Sequence, residues 1–385
     1  MRIVIAHTTY QQPGGEDVVF DAEVKLLKKK GHAVFIYQRS NLEPNIETGV
    51  LWSQKSYREV RKLVRITRPD LTHFHNTFLA ISPSAYYACQ DEKVPVIQTL
   101  HNFRLVCPGA LLLRNNQPCE DCLGRKIAWP GATHGCWRGS KTGSALVASM
   151  LSLHHALGTW QNKVDRYIAL SEFSRKKFIQ GGLPPEKIVV KPNFMPDPNL
   201  TKNDHKYALF VGRLSTEKGI NTLLKAWQSL PEIPLRIIGG GPLSAFAREE
   251  IGNEKNFKNV SLSGQLDRKS VFNAMLEASF LIIPSKWYEN FPMVLLEAFS
   301  CELPVLVPNF GNLGNLVKNG QTGLHFIPGD TQDLAEKAAW LWKNPQEAAR
   351  MGQNARREYE EKYTPENNYR QLMAIYEQVL AEKKR

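Results

Sequence analysis

Residues 280–297 read FLIIPSKWYENFPMVLLE and contain one complete strand–loop–helix unit. The first five residues, 280–284, are apolar throughout and predict a strand that is buried on both faces, as in a parallel sheet. The residues from Phe291 onward predict a helix. A buried strand, a short loop and a helix form the repeating unit of an α/β protein, so this stretch predicts the fold class.

Two glutamates mark the loop and the helix of this unit. Glu289 lies on the loop just before the predicted helix, and Glu297 lies two turns inside it. Both follow the carboxyl end of the predicted strand, and carboxylates are strong hydrogen-bond acceptors. The pair therefore suits a ligand that is rich in hydroxyl groups, of which a sugar nucleotide is one.

The same alternation of strands and helices extends in both directions and occurs twice. Predicted strands of the first half are 2–6, 33–37, 71–75, 94–100, 166–170 and 187–190, with helices at 17–30, 56–66 and 171–180. Predicted strands of the second half are 207–211, 235–238, 260–263, 280–284 and 304–307, with helices at 221–230, 268–278, 291–301 and 333–342. We therefore predict an α/β protein with two tandem doubly wound, Rossmann-like domains facing a cleft, with ligand at the carboxyl ends of the strands.

Composition divides the chain into domains and narrows its class. Pro192, Pro196 and Pro198 interrupt the alternation, which predicts an N-terminal domain at 1–194 and a linker at 195–204. The second domain is predicted at 205–365, and a final helix at 366–385 is expected to pack back on the first. No apolar run approaches the roughly 20 residues of a membrane helix, and the first residues lack a signal-peptide pattern. A cytoplasmic protein is the expectation.

The net charge of +12 is concentrated in the first half of the chain. Residues 1–200 hold 26 Lys and Arg against 16 Asp and Glu, which gives 26 − 16 = +10. Much of this excess lies in the segment 55–68, which is predicted to form a basic amphipathic helix. A solvated helix face explains it, and so does peripheral contact with an anionic inner-membrane face or an anionic acceptor. Nucleic acid is not expected, because no nucleic-acid-binding module is present.

Three glycine-containing turns follow predicted strands. Residues 212–219 read GRLSTEKG, in which Arg213 and Lys218 could hold a diphosphate at the start of a helix, unless both are incidental surface bases. The glycines at 239–241 would permit close backbone approach to a flat base, or form a flexible turn. Gly14 and Gly15, before the first predicted helix, could bring backbone N–H groups to an anion. None of these is a phosphate-binding loop of the P-loop type.

Together these features resemble the retaining glycosyltransferases of family four, whose fold is called GT-B. The resemblance covers nearly the whole chain. It rests on the glutamate pair, on the turn at 212–219 and on four further segments, which are PGGE at 13–16, HFHN at 73–76, TLHN at 99–102 and GQTGL at 320–324.

The resemblance implies a role for each matching residue. Arg213 and Lys218 would neutralise the donor diphosphate and the charge that grows on it as the glycosidic bond breaks. Glu297 would bind the ribose, and Glu289 the transferred sugar. The donor-binding residues would also include Gly14, Gly15, Asn290, Phe291, Met293 and Val294, and His101 would lie near the reacting carbon.

The implied chemistry is transfer with retention of configuration, in which the departing phosphate helps to take the proton of the acceptor. A protein nucleophile is then unnecessary, unlike in a retaining hydrolase. No Asp-x-Asp motif occurs, which agrees with metal-independent transfer without a required cofactor. The acceptor would be a glycan or a lipid-linked glycan, in polysaccharide biosynthesis.

Two positions depart from the family pattern. Pro292 stands where glycine is usual, and at the first helical position it would remove one N–H group that could touch phosphate. Asn315 stands where an acid is more usual, and we assign it no role. The consequence of Pro292 is left open by the sequence.

The histidines differ in what their positions suggest. His101 follows a predicted strand that ends in the expected cleft, so a functional role is favoured. His7, His73 and His75 also lie on or at the end of strands, where a structural hydrogen-bonding role fits equally well. His134, His154 and His155 are interpreted as structural.

Four of the six cysteines cluster at Cys107, Cys119, Cys122 and Cys136. The two-residue gap between Cys119 and Cys122 is that of a zinc knuckle, and the other two could complete four sulfur ligands. We hypothesise an inserted segment at about 105–140 that binds structural zinc; four unrelated thiols are the alternative. Metal analysis of untagged protein tests this, and less than about a tenth of an equivalent of zinc would contradict it.

Two other classes of function compete with the glycosyltransferase. A sugar-nucleotide epimerase would share the fold and need no acceptor. A non-catalytic module could bind polyanions through the basic first half, but it would leave Glu289, Glu297, Arg213 and Lys218 without use.

Overall fold

The computed structural model of the protein describes residues 1–9, 14–43, 49–199, 206–253 and 257–383. The chain forms two compact units. Unit 1 comprises Met1–Leu112, Cys119–Asn193 and Pro365–Arg385, and unit 2 comprises Leu113–Pro118 and Phe194–Thr364. Pro13 and residues 200–204 of the predicted linker lie outside the described residues, as do the last two residues of the predicted final helix.

Unit 1 is built around a parallel sheet of six strands, as predicted. Its order is β2-β1-β3-β4-β7-β8, for β1 (Arg2–Thr9), β2 (Ala33–Ser40), β3 (Leu71–Asn76), β4 (Val96–Leu100), β7 (Arg166–Ala169) and β8 (Ile188–Val190). The short strands β5 (Leu113–Arg114) and β6 (Gln117–Pro118), which are assigned to unit 2, pair with each other as an antiparallel hairpin. The strand order reverses between β1 and β3, and doubly wound sheets bind ligands beyond the strand ends at such a point.

The helices of unit 1 include four that the sequence pattern did not predict. They are α1 (Gly15–Lys29), α2 (Gln54–Thr67), α3 (Ser84–Asp91), α4 (Trp129–Thr133), α5 (Lys141–Ala156), α6 (Thr159–Asn162) and α7 (Glu172–Gln180). The missed helices are α3, α4, α5 and α6. Helices α4 and α6 have only five and four residues, which is too short for a periodic pattern. Small and polar residues are spread through α3 and α5, so the spacing of their apolar residues gives no clear helical period.

Unit 2 repeats the architecture with a second parallel sheet. Its order is β11-β10-β9-β12-β13-β14, for β9 (Tyr207–Val211), β10 (Leu235–Ile238), β11 (Val260–Leu262), β12 (Ala278–Ile282), β13 (Val305–Pro308) and β14 (Gly323–Phe326). The order reverses between β9 and β12. The prediction of two doubly wound α/β units is therefore confirmed, and β14 is the strand of this parallel sheet that the sequence analysis missed.

The helices of unit 2 cover this second sheet. They are α8 (Ile220–Trp227), α9 (Ser244–Asn253), α10 (Arg268–Glu277), α11 (Met293–Ser300), α12 (Leu313–Leu316), α13 (Thr331–Lys343) and α14 (Pro345–Lys362). Buried side chains of β9, β10 and β12 pack against α8 and α13 in one apolar core. Trp227, the largest fully buried side chain, lies in this core.

The chain ends with α15 (Pro365–Lys383), which packs into unit 1. Its side chains Leu372, Ile375, Tyr376 and Val379 share a core with strand residues such as Ile3 and Ile5. Burying an aliphatic or aromatic side chain contributes about 1.5–3 kcal/mol. The final helix therefore stabilises the sheet of unit 1. No helix of the described residues is long and apolar enough to cross a membrane.

Candidate functional site

Two loops meet where the strand order of unit 2 reverses. The backbone N–H of Lys286, after β12, donates to the carbonyl oxygen of Glu217, after β9, at 2.8 Å. Gly219 has a φ of +79°, and a Cβ there would lie 1.8 Å from the carbonyl oxygen of Pro284. Only glycine allows this approach without displacing the backbone. The two loops are thus held together as one structure.

This junction places Lys218 against Glu289. The Lys218 Nζ lies 2.6 Å from Glu289 Oε1. Ser285 Oγ and Trp287 Nε1 donate to the same oxygen, at 2.7 and 3.0 Å. Within the described ranges no donor is found for Glu289 Oε2. The carboxylate is therefore fixed in orientation by three donors and retains one oxygen for a further hydrogen bond.

Lys218 is the more accessible partner of this pair. Its side chain is 26% exposed, whereas that of Glu289 is 5% exposed. Its Nζ also lies 5.4 Å from the centre of the Trp287 ring, which favours a cation at this position. An ammonium group has three donors, so Lys218 retains capacity for an anion.

Arg213 lies earlier on the same loop and is exposed. Among the residues that the structure describes, it makes no ion pair. Its guanidinium is thus open to an anionic ligand. The structure brings Lys218 and Glu289 into contact, and it leaves Arg213 beside them in the loop without a protein partner in the described ranges.

Two of the three glycines at 239–241 pack closely against the loop at 212–219. A Cβ on Gly239 would lie 1.9 Å from the carbonyl oxygen of Gly212, and one on Gly241 would lie 2.6 Å from that of Leu214. The Leu214 N–H donates to Gly240 O at 3.0 Å. Only Gly240 has open space. Gly239 and Gly241 therefore allow the close approach of the loop at 212–219.

Helix α11 begins at Met293, so the predicted start at Phe291 is wrong by two residues. Pro292 is the N-cap, with φ −72° and ψ 124°, and no side chain caps the helix. The residue before the first helical position carries no N–H that the helix uses. Pro292 therefore ends the preceding loop and leaves the first N–H groups of α11, from Met293 and Val294, without a side-chain cap.

Asn290 and Phe291, predicted to bind the donor, have contacts within the protein. The side-chain amide of Asn312 donates to the carbonyl oxygen of Asn290. Phe291 is buried and packs edge-on against Tyr363, with ring centres 5.8 Å apart. Both hold the loop before α11 in place. Sequence reasoning missed Asn312, since a buried asparagine on a loop has no distinguishing pattern.

Glu297 lies on α11, partly exposed, and the described residues make no hydrogen bond to its carboxylate. Burial raises the pKa of its carboxyl, and the positive charge of Arg268 acts in the opposite direction. Glu297 is thus a carboxyl group with unsatisfied acceptors on a rigid helix. It does not share the Lys218 contact that holds Glu289.

Unit 1 contains a second polar cluster, which begins at the end of β4. His101 follows this strand, and its Nε2 lies 3.0 Å from Nδ1 of His75 on β3. His75 Nε2 lies 3.1 Å from Oε1 of Glu23 on α1. Lys191 Nζ lies 3.1 Å from Glu23 Oε2. A continuous chain of contacts therefore connects a buried ion pair to His101.

Burial and charge set the ionisation of this cluster. Burial raises the pKa of Glu23, but Lys191 and hydrogen bonds from His73 and His75 outweigh it, so the pKa lies well below the usual range. Burial, with the neighbouring charge of His73, lowers the pKa of His75 to about 4. Burial also lowers the pKa of His101, with His75 adding to the effect. The acid is charged and both imidazoles are neutral at pH 7.

The other histidines near this cluster have structural partners. His73 Nδ1 lies 2.8 Å from Tyr376 Oη, and its Nε2 lies 2.8 Å from Thr99 Oγ1. His7 Nε2 lies 2.9 Å from Asp17 Oδ1. The alternatives that the sequence left open for His73 and His7 therefore resolve to hydrogen bonding within unit 1.

Glu23, His73 and His75 could offer three ligand atoms to a metal ion within 4.8 Å of one another. The ammonium of Lys191 already provides a cation to this carboxylate, and its side chain is only 2% exposed. A divalent ion would have to lie beside that buried positive charge. The cluster is therefore better described as a buried ion pair that is hydrogen-bonded to imidazoles.

Gly14 is the N-cap of α1, which starts at Gly15. The Gly14 N–H donates to Asp17 Oδ2 at 2.7 Å. The carboxylate of Asp17 therefore takes the place that the sequence analysis assigned to an external anion at this N–H. An anion could still approach Gly15 and the first turn of α1.

The four clustered cysteines are all free thiols. Burial raises the pKa of Cys122 to about 12, and Cys107, Cys136 and Cys119 add to the effect. Among the described residues, however, no three of these sulfur atoms meet the 4.8 Å separation found for Glu23, His73 and His75. Zinc binding by these cysteines stays a prediction.

Comparison with protein families identifies the class of the chain. Residues 13–197 match the family described as Glycosyltransferase Family 4, and residues 193–358 match Glycosyl transferases group 1. Together the two matches span nearly the whole chain, and the fold described above agrees with them. The chain belongs to the family-four glycosyltransferases, which confirms the resemblance.

Individual relatives are distant. An uncharacterised glycosyltransferase of Methanocaldococcus jannaschii is 27% identical over 56% of this chain and 60% of its own length. An O-antigen chain mannosyltransferase of Escherichia coli is 29% identical over 46% of this chain and 48% of its own length. The chain thus spans less than two thirds of these relatives. N-acetyl-alpha-D-glucosaminyl L-malate synthase of Bacillus anthracis is 22% identical over 100% of this chain and 99% of its own length.

Solved structures share the fold. A glycosyltransferase of Rickettsia africae has a TM-score of 0.74 at 16% identity, covering 98% of this chain and 99% of its own. HepE of Anabaena in complex with UDP has a TM-score of 0.71 at 19% identity, covering 97% and 99%. These values support the GT-B fold of the chain.

Proposed function

We propose that the protein is a retaining glycosyltransferase that moves a sugar from a nucleoside diphosphate to a glycan or lipid-linked glycan. The observation that carries the proposal is the Lys218–Glu289 contact at 2.6 Å, at the point of strand-order reversal in unit 2. A cation that can hold phosphate and a carboxylate that can hold hydroxyl groups lie side by side there. A sugar nucleotide needs both kinds of contact within a few ångströms.

The positive groups of unit 2 suit the diphosphate. Arg213 is exposed and Lys218 has spare donors, while the N-terminus of α11 offers N–H groups from Met293 and Val294. Helix N-termini favour negative charge, and paired basic side chains strengthen that preference. These groups would stabilise the charge that develops on the leaving phosphate. They would supply without a divalent ion the neutralisation that a metal provides in other transferases.

The two carboxylates suit different hydroxyl groups. Glu289 is held by three donors to Oε1, and its Oε2 would accept from the transferred sugar. Glu297, on the rigid helix, would accept from the ribose. Because a lysine already binds Glu289, its carboxylate is a weaker nucleophile than a free one, which favours front-face transfer with retention over a covalent intermediate.

Unit 1 has its own assignments in this proposal. His101 would contact the transferred sugar, and Gly15 would approach the diphosphate. Gly14 contributes as the N-cap that shapes the start of α1, since its N–H is already bound by Asp17. The UDP complexes of HepE support UDP as the first nucleotide to examine, although the base, sugar and acceptor of this chain need their own measurement.

Ligand binding and turnover test the proposal in sequence. Thermal unfolding is measured with UDP, GDP and ADP, each at about 1 mM, and at least one should raise the melting temperature. The sugar conjugates of the stabilising nucleotide are then incubated with glycan and lipid-linked acceptors, and NMR gives the anomeric configuration of the product. Stabilisation by none of the three nucleotides, or a product of inverted configuration, would contradict the proposal. Conversion of the donor to its epimer without acceptor would favour the epimerase instead.

A further inference from the structure

The contacts of His75 determine where its proton lies. Its Nε2 is 3.1 Å from Glu23 Oε1, and an ionised carboxylate can only accept hydrogen bonds. His75 must therefore carry a proton on Nε2. Because a neutral imidazole has one proton, its Nδ1 is a bare acceptor.

The same reasoning extends one contact further. His75 Nδ1 is 3.0 Å from His101 Nε2, and a bare acceptor requires a donor opposite it. His101 therefore carries its proton on Nε2, and its own Nδ1 is left with a lone pair. Among the described residues no partner is found for that Nδ1, and His101 is partly exposed.

We propose that Glu23 and His75 are positioning residues that fix His101 in the Nε2–H tautomer, so that its Nδ1 accepts a hydrogen bond from a hydroxyl group of the bound sugar. This inference rests on the proposed function, and it restricts the ligand. A neutral sugar hydroxyl can donate to Nδ1. A carboxylate or phosphate oxygen at the same point would face the lone pair and be repelled.

The opposite arrangement is unfavourable. If His75 carried its proton on Nδ1, its bare Nε2 would face Glu23 Oε1 at 3.1 Å, and two lone pairs would oppose each other in a buried site. A doubly protonated His75 would be a second buried cation on Glu23, which already binds Lys191. A buried acceptor that faces another acceptor is left without its hydrogen bond, so this tautomer is disfavoured.

The charged and titratable groups around His75 and His101 favour the same tautomers of these two residues. Glu23 on α1 and Lys191 after β8 neutralise each other at 3.1 Å, and His73 on β3 and His7 on β1 lie beside them. Burial disfavours the imidazolium form of His101, and the charge of Lys191 acts in the same direction, so the opposite effect of Glu23 is outweighed. The lone pair on Nδ1 therefore persists at neutral pH.

Nitrogen-15 NMR of the intact protein tests the tautomer directly. Histidine ring nitrogens that carry a proton have nitrogen-15 chemical shifts far from those of ring nitrogens without one. The signals of His75 and His101 are assigned from the spectra of the His75→Gln and His101→Gln variants. His154 and His325 are internal references, since each Nε2 faces a backbone carbonyl, at 2.9 and 2.7 Å, and must carry a proton. We expect His75 and His101 to match them at pH 7. A proton on His101 Nδ1, as the other tautomer or as imidazolium, would overturn the proposal.

A double variant tests the role of Glu23. E23Q/K191M removes the buried charge pair together, and the amide of glutamine offers both a donor and an acceptor to His75. Both tautomers of His75 and His101 then become available, so mixed signals are expected. The value of kcat should fall about five- to tenfold while KM for the donor changes little, as expected for one weakened hydrogen bond. Retention of a single Nε2–H tautomer would show that Glu23 does not set it. The NMR result is independent of turnover, so a failed transfer assay would leave it interpretable.

Discussion

Each unit contains a glutamate bound by a lysine, and the two pairs differ in what surrounds the lysine. In unit 1, Lys191 and Glu23 have side chains that are 2% and 1% exposed. In unit 2, Lys218 and Glu289 are 26% and 5% exposed. Both acids are buried and both accept several hydrogen bonds. Only the second lysine reaches solvent.

This difference separates a pair that organises the protein from one that is available to a ligand. A buried pair is costly to desolvate, and losing one partner leaves the other charge unpaired. A partly exposed lysine such as Lys218 keeps its hydrating water and can exchange this water for phosphate oxygens. The two glutamates also differ in the group on which they act. Glu23 acts on His101 through His75, whereas Glu289 has one carboxylate oxygen available to a ligand.

The largest expected effect is on stability, from neutralising the two acids separately. Glu23→Gln leaves Lys191 buried without a counter-charge, so the free energy of unfolding should fall by about 3–5 kcal/mol. Glu289→Gln is the matched control, because Lys218 can turn to solvent, and its loss should stay below about 1–2 kcal/mol. Urea unfolding of both variants measures this. Equal losses would remove the distinction between the two pairs.

The second largest expected effect is on the rate of sugar transfer, and it concerns a residue of unit 2. Lys218→Ala should lower kcat for transfer by about 10²–10³-fold, because the developing charge on the leaving phosphate loses a cation. Its melting temperature should stay near that of the wild type. Lys225→Ala, an exposed lysine on the adjoining α8, is the control and should transfer normally. Near-normal kcat for the Lys218 variant would exclude the proposed role.

The contrast also shows what the sequence can and cannot predict. Lys218 and Glu289 were predicted because both follow strands, and the carboxyl ends of neighbouring parallel strands meet at one edge of the sheet. Their direct contact was not, since it depends on the close approach of Gly219 to Pro284. The strand order of the sheet, which makes β9 and β12 neighbours, is determined by the whole fold.

The unit 1 cluster was only partly predictable for a related reason. His73, His75 and His101 were noted at strand ends, but Glu23 on α1 and Lys191 after β8 carried no signal. They come from distant segments, and charged residues in a helix pattern are ordinarily assigned to its solvated face. Similarly, the predicted start of the helix at Phe291 placed Pro292 inside the helix, whereas Pro292 is the N-cap residue.

A third prediction concerns pH and again separates the units. The pKa of His75 is about 4 in the folded protein, against an ordinary value of 6.5, so the unfolded chain binds more protons between these values. Stability should therefore fall as pH falls through this window, by about 2 kcal/mol from pH 7 to 5 for this residue alone. The neutral His101 adds in the same direction, while Glu297, whose pKa is raised, opposes it.

Urea unfolding at pH 7 and pH 5 measures this dependence. His75→Gln should flatten it, because the titrating imidazole is gone and the amide can still donate to Glu23. His134→Gln, at an exposed histidine, should leave it unchanged. An equally steep loss in the His75 variant would assign the dependence to other groups.

The smallest effect is expected at Pro292, three residues after Glu289. As the N-cap of α11, this proline removes no N–H from the helix, and glycine is accepted at an N-cap. Pro292→Gly should therefore cost only about 0.4–1 kcal/mol of stability, through greater freedom of the unfolded chain, and should change kcat less than about threefold. Pro83→Gly, at the N-cap of α3 in unit 1, is the matched control. A much larger loss of transfer at Pro292 than at Pro83 would mean that the rigid ring, in addition to Lys218, holds Glu289 in position.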